Sequence, residues 1–95
     1  MVTLKRWYRL RDGHQIPVRS ASVHWIMSQP TFALGVADAR ASRRYHRDYD
    51  LWNTNGQWNY ERGRMWAALA PPDVQLKLHR RINPRAVAFY RSDII

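Results

Sequence analysis

Residues 32–39, FALGVADA, and residues 60–67, YERGRMWA, share a pattern. Each has an aromatic residue, a glycine three places on and an alanine four further: Phe32, Gly35 and Ala39 against Tyr60, Gly63 and Ala67. The chain has only four glycines, and two of them sit at matching points inside stretches that otherwise read as helix. A glycine in a helix interior costs about 1 kcal/mol relative to alanine, so the matched placement implies a compensating gain. Close approach of two helix backbones is the simplest one. The pattern therefore predicts a helical hairpin in which Gly35 and Gly63 face each other.

In the first of these helices, predicted over residues 31–44, Phe32, Gly35, Val36 and Ala39 recur at three and four and form one apolar stripe. The second, predicted over residues 57–70, stops at Pro71-Pro72 and has two apolar sides. Tyr60, Gly63, Ala67 and Ala70 lie on one, Trp58, Met65 and Leu69 on the other. Upstream, residues 2–11 alternate as a strand, spoiled only by Arg6, and Asp12-Gly13 supplies a two-residue turn toward a partner strand in HQIPVR. Pro17 confines that partner to a sheet edge. In SASVHWIMSQP, Val23, Ile26 and Met27 suit a short helix capped by Ser20 or Ser22, while Val23, Trp25 and Met27 suit a strand; the helix is the preferred reading. Downstream, residues 74–78 alternate, with Val74, Leu76 and Leu78 inward and Gln75, Lys77 and His79 outward. Asn83 is a favoured N-cap and Pro84 a favoured first helical residue, so a last helix begins there with Val87 and Tyr90 inward. The expected fold is α+β, a single small domain over residues 1–95. A small antiparallel sheet, made from the N-terminal hairpin and the 74–78 strand, carries an inserted helical hairpin and a C-terminal helix.

Sixteen basic against seven acidic residues give a net charge of +9, and nearly all of the cations are arginine. The planar guanidinium fork suits phosphate and guanine edges, so a polyanion is the expected partner, with an acidic protein surface as the alternative. Coding bias and solubility would produce the same composition, so charge names a class of partner and no site. The absence of cysteine excludes disulfides and thiol chemistry and fits a reducing, cytoplasmic setting. No stretch reads as a signal peptide or a membrane span. Five tryptophans supply material for a core.

Several constellations suit polyanion contact. Arg40, Arg43, Arg44 and Arg47 lie at i, i+3, i+4 and i+7, so a continuing helix would present them as one stripe along a phosphate backbone. Directly after them, Tyr45, Tyr49 and Trp52 alternate with charge in a loop closed by an Asn55-Gly56 turn. These rings either stack on unpaired bases or fold back as a lid on the core. Lys5, Trp7 and Arg9 would share a sheet face with Lys77 and His79 if the first and third strands pair. Enzymatic readings find little support. His14, His24, His46 and His79 show no H-x-H or HExxH spacing, Asp48 and Asp50 look like local charge compensation, and Glu61 reads as a surface ion pair with Arg64. No metal or cofactor is expected.

The stretches FALGVADARASR and QWNYERGRMWAA resemble the ribosome modulation factor pattern over residues 32–68. In that pattern an aromatic-x-x-Gly helix leads through a loop to a Trp-rich, glycine-containing helix. Phe32, Gly35, Ala39, Arg43, Trp58, Gly63 and Trp66 carry the resemblance, while Ser42 stands where the family usually has a helix-ending glycine. The resemblance implies a helical hairpin and contact with ribosomal RNA. From the residues and the resemblance together, the chain reads as a non-enzymatic basic module binding RNA or a ribonucleoprotein. Arg40, Arg43, Arg44, Arg47, Lys5, Trp7, Arg9, Tyr45 and Lys77 are its contact residues. The alternatives are a phage or mobile-element accessory protein that docks on a host protein machine, as anti-CRISPR proteins do, and a homodimer anchored by tryptophan.

Overall fold

The computed structural model describes residues 3–9 and 15–90. In chain order these form β1 (Thr3–Arg9), β2 (Gln15–Ser22), α1 (Val23–Met27), α2 (Pro30–Arg40), a 3-10 turn at Tyr49–Leu51, α3 (Thr54–Leu69), β3 (Lys77–Leu78), β4 (Arg81–Ile82) and α4 (Pro84–Val87). The expected Asp12-Gly13 turn falls outside the described residues.

The architecture is mainly helical, which corrects the α+β expectation. The strand at 74–78 does not join the N-terminal strands in one sheet. β1 pairs with β2 antiparallel, and β3 pairs separately with β4. The alternation at Val74 and Leu76 correctly marked an inward face, since both are buried, but inward here means onto the helices. The chain then reverses at His79-Arg80, and residues 81–82 take the hydrogen-bonding edge of β3. Leu78, expected inward, directly precedes that reversal and is 44% exposed. In β1, the register shifts between Leu4 and Arg6, the place where Arg6 interrupts the alternation; a bulge changes which residues oppose each other.

The crossing of α2 and α3 organises the core. A Cβ added at Gly35 would overlap the Tyr60 carbonyl oxygen and lie 3.0 Å from the Arg64 nitrogen, and one added at Gly63 would overlap the Phe32 carbonyl oxygen. The relation is reciprocal: the glycine of each helix receives the backbone of the aromatic residue that opens the other helix's motif. Residue 32 meets 63 and residue 35 meets 60, so the helices run antiparallel. At this separation only hydrogen fits between the backbones, which identifies the gain that offsets the helix cost of each glycine.

Local chemistry sets the ends of these helices. Pro30 occupies the first turn of α2, and Thr31 Oγ1 donates to the Gly56 carbonyl at 2.8 Å, tying the start of α2 to the start of α3. Asn53 caps α3 by accepting from Gly56 N–H at 2.8 Å. Asn55 and Gly56 therefore lie in the first helical turn and do not form the expected loop-closing turn. At the other end Ala70 is extended, with ψ 140°, as expected of a residue before proline. The core gathers Val23, Ile26 and Met27 of α1, Phe32 and Val36 of α2, Trp58, Trp66 and Ala70, then Val74, Leu76, Ala86 and Tyr90. Phe32 lies 6.2 Å from Tyr90 and 6.4 Å from Trp66, and Trp66 Nε1 donates to the Ala86 carbonyl at 2.8 Å. Met65 and Leu69, expected to face a second apolar partner, are 37% exposed. Asn83 caps α4 by accepting from Arg85 N–H.

Candidate nucleic-acid interface

The arginine stripe does not form, because α2 ends at Arg40. Ser42 adopts φ 56°, its N–H donates to the Ala39 carbonyl at 3.0 Å, and Arg43 N–H donates to the Asp38 carbonyl at 2.8 Å. This pair of bonds is a Schellman motif, in which a left-handed residue closes the helix. Ser42 does what glycine ordinarily does at such a helix end, at the cost of a side chain in the left-handed region. The four arginines then part company. The Arg40 guanidinium lies 5.0 Å over the Trp66 ring and donates to the Pro71 carbonyl at 3.1 Å. Arg43 Nε donates to Asp38 Oδ1 at 2.9 Å. Arg44 and Arg47 are exposed and, among the described residues, form no ion pair.

The aromatic loop folds back as a lid. Trp52 lies 5.2 Å from Tyr60, and Tyr45 and Tyr49 lie 5.6 and 5.9 Å from it, mostly edge to face. The Tyr60 hydroxyl donates to Asp38 Oδ2 at 2.5 Å and accepts from His46 N–H at 2.9 Å and from Arg64 at 3.3 Å. Glu61 is not the surface partner of Arg64; it accepts from the hydroxyls of Tyr45, at 3.1 Å, and Tyr49. Arg64 instead donates to the Arg43 carbonyl and lies 5.0 Å over the Tyr45 ring. Tyr45 is thus half-buried among protein groups, with Arg64 over its ring.

Electrostatics around this seam are self-contained. Burial of Asp38 would raise its pKa, but the hydrogen bonds from Tyr60 and Arg43 and the positive charge of Arg43 outweigh it and hold the carboxyl below its ordinary value. Tyr60 shifts upward, chiefly through burial and then through its hydrogen bond to the Asp38 carboxylate.

A different surface gathers cations that have no such partners among the described residues. His24 and Trp25 of α1, Lys77 of β3, and Arg80 and Arg81 of the following hairpin line one groove of about 640 Å³, with no aspartate or glutamate among its described lining residues. Neither Lys77, Arg80 nor Arg81 forms an ion pair among the described residues. Both walls are rigidly supported. In α1, Val23, Ile26 and Met27 are at most 1% exposed, so burial of that face turns Trp25, 45% exposed, outward. The Trp25 carbonyl accepts from Ser28 Oγ at 2.7 Å and Gln29 Nε2 at 3.0 Å, which closes the end of this short helix. The opposite wall is a two-residue hairpin whose central residues, His79 and Arg80, have φ 50° and 68°. Such a turn needs positive φ at both positions and ordinarily takes Asn-Gly. Asn83 fastens its base, donating from Nδ2 to the Gln75 carbonyl and from its N–H to the Leu76 carbonyl, both at 2.9 Å.

Of the sequence-predicted contact residues whose side chains are described, only Lys77 lies in this groove. Arg44 and Arg47 border a separate depression at the end of α2 with Asp38 and Tyr45. Lys5, Trp7 and Arg9 belong to β1, and their side chains lie outside the described ones; β1 does not pair with β3, so the shared sheet face expected for them with Lys77 is not built that way. Trp25, Arg80 and Arg81 were missed. The available signal was Arg80-Arg81 directly after an alternating run, a hairpin tip with no glycine. Comparison with known proteins returns no match, whether to a family model, a curated protein or a solved structure. Among the described residues, no three His, Asp or Glu side chains are grouped to hold a metal ion, and no helix is long and apolar enough to cross a membrane.

Proposed function

We propose that this chain is a non-enzymatic module that binds RNA or a ribonucleoprotein, with the α1–hairpin groove as its main contact surface. One observation carries the reading: Lys77, Arg80 and Arg81 converge beside an exposed tryptophan in a groove with no acidic residue among its described lining. Uncompensated cations at a concave surface concentrate a positive field, and phosphate is the anion that arginine forks fit best. Arg44 and Arg47 extend the positive surface elsewhere and serve as secondary, position-independent contacts. Contact with ribosomal RNA in particular is the form that the resemblance over residues 32–68 suggests.

The test is a salt titration of binding to mixed-sequence RNA by fluorescence anisotropy. Each neutralised phosphate contributes about −0.7 to the log–log slope for single strands, so three engaged cations give a slope near −2. Reversal to glutamate at Lys77, Arg80 and Arg81 together should abolish binding at low salt, whereas reversal at Arg44 and Arg47 should weaken it less. No binding at low salt by the unaltered protein would overturn the nucleic-acid reading in favour of an acidic protein partner.

A further inference from the structure

We infer that the groove alongside α2 is a second interaction surface, one that takes an acidic segment of a partner protein. An apolar side chain of that segment seats on Leu34 and Ala37, and its carboxylates face Arg44 and Arg47. The end of α2 creates the groove. After the Schellman turn at Ser42 the chain doubles back, so residues 43–47 stand beside the helix they have just left and enclose about 510 Å³. Leu34 and Ala37, one turn apart on α2, supply an apolar floor, and Leu34 is 39% exposed. Arg44 and Arg47 are exposed to solvent along the other wall. Apolar surface rimmed by charge, with arginine prominent, is the make-up of a protein-binding site.

The wall that carries the two arginines is fastened to the floor. His46 N–H donates to the Tyr60 hydroxyl, which donates in turn to Asp38 on α2, and the Arg43 carbonyl accepts from Arg64 of α3 at 3.0 Å. His46 Nδ1 accepts from Asp48 N–H at 3.0 Å and holds the next turn of chain. A groove built this way is pre-formed, and a ligand does not have to order it. Asp38, the one carboxylate among the described lining residues, is 5% exposed and already accepts from Arg43 Nε and the Tyr60 hydroxyl, so its charge is turned inward. The floor decides between polyanions. Phosphate and ribose place nothing apolar on a leucine, and a base stacks on a ring face, whereas Tyr45 is half-buried with Arg64 over its ring. An acidic peptide suits both the apolar floor and the arginine wall. The site shares no described lining residue with the α1–hairpin groove and operates with or without nucleic acid there.

The experiment measures, by anisotropy at low salt, the binding of two short fluorescein-labelled peptides, one of glutamates around a central leucine pair and one with serines in place of the leucines. A labelled uridine RNA is titrated in parallel. The unaltered protein is compared with Leu34→Gln, Arg44→Gln/Arg47→Gln and Lys77→Gln/Arg81→Gln, and a thermal melt confirms that each keeps the fold. The leucine peptide should bind about tenfold more tightly than the serine peptide, as expected for partial burial of an apolar side chain, and Leu34→Gln should erase that difference. The Arg44/Arg47 variant should weaken both peptides about tenfold or more, whereas the Lys77/Arg81 variant should weaken RNA and leave the peptides unchanged. Equal binding of the two peptides, or a preference that survives Leu34→Gln, overturns the apolar seat and the proposed occupant with it. Peptide affinity lost in the Lys77/Arg81 variant and kept in the Arg44/Arg47 variant overturns it as well, by placing the acidic ligand in the other groove. Absence of RNA binding with the expected peptide results supports this site and overturns the nucleic-acid reading alone.

Discussion

The seam between α2 and α3 and the groove between α1 and the β3–β4 hairpin are both rich in arginine, and they use it in different ways. At the seam Arg43 faces the buried Asp38 carboxylate, Arg40 covers Trp66, and Arg64 lies over Tyr45 and donates to the Arg43 carbonyl. In the groove, Lys77, Arg80 and Arg81 meet no carboxylate among the described residues. In sequence the two sets look alike. What separates them is whether the fold brings an acceptor or a ring across to each cation, because a guanidinium already bonded to its own protein has little left to offer a ligand. The comparison implies a division of labour: changes at the seam should alter stability and spare binding, and changes in the groove should do the reverse.

The strongest way to break that division is at the glycine crossing. Gly63→Ala adds a methyl where the Phe32 carbonyl already stands, and neither backbone can yield without separating the helices. The gain in helix propensity of about 1 kcal/mol is outweighed by overpacking against main chain, and a net loss of about 3 kcal/mol is expected. In a domain of this size that lowers Tm by roughly 12–24 °C. Gly35→Ala should behave in the same way, because its Cβ meets Tyr60 and Arg64 backbone. A calorimetric scan in which either variant melts with the unaltered protein would mean that the helices do not cross at these residues.

Asp38→Asn is the next largest. Asparagine keeps the shape but removes the charge that accepts from Tyr60 and Arg43, and the expected loss is about 1–3 kcal/mol at neutral pH. The pH dependence has a definite sign. The Asp38 pKa is lowered in the folded protein, so on acidification the unfolded chain takes up the proton first and acid favours unfolding. The contribution is present in full above the ordinary carboxylate range and disappears as pH falls through the depressed folded value. Urea melts from pH 6 downward should show this acid limb in the unaltered protein and a shallower one in Asp38→Asn. RNA affinity of the variant, measured at pH 7 where it remains folded, should not change.

How much of this was legible beforehand depends on how local each cause is. The glycine crossing was readable because glycine in a helix is unfavourable unless backbone approaches it, and the α4 cap was readable because Asn83-Pro84 is a local signal. The end of α2 was not. It rests on a serine in the left-handed region, a position that sequence rules assign to glycine, so the four arginines were extended along a helix that had already stopped. The strand at 74–78 showed its buried side but not its pairing, since alternation says which residues point inward and nothing about which edge takes the hydrogen bonds. The Asp38–Tyr60 bond and the Trp25 groove join segments far apart in the chain, and no local pattern encodes such a meeting.

The smallest expected effect gives the sharpest comparison, because it applies one substitution to the two regions. Ser42 and Arg80 both hold a side chain at positive φ, where glycine is free of the penalty of about 1–2 kcal/mol. Part of that gain is returned through the greater freedom of glycine in the unfolded chain, so each replacement should stabilise by about 1 kcal/mol or less, a Tm rise of a few degrees. At Ser42 the side chain serves only the helix end, and Ser42→Gly should gain stability with RNA affinity unchanged. At Arg80 the same strain delivers a cation to the groove, and Arg80→Gly should gain comparable stability while lowering affinity and reducing the salt slope by about 0.7. Thermal melts and salt-dependent anisotropy on the two variants read both quantities. If Arg80→Gly were as silent in binding as Ser42→Gly, the strained turn would be no more than a chain reversal, and the contrast between a self-satisfied seam and an open groove would lose its functional half.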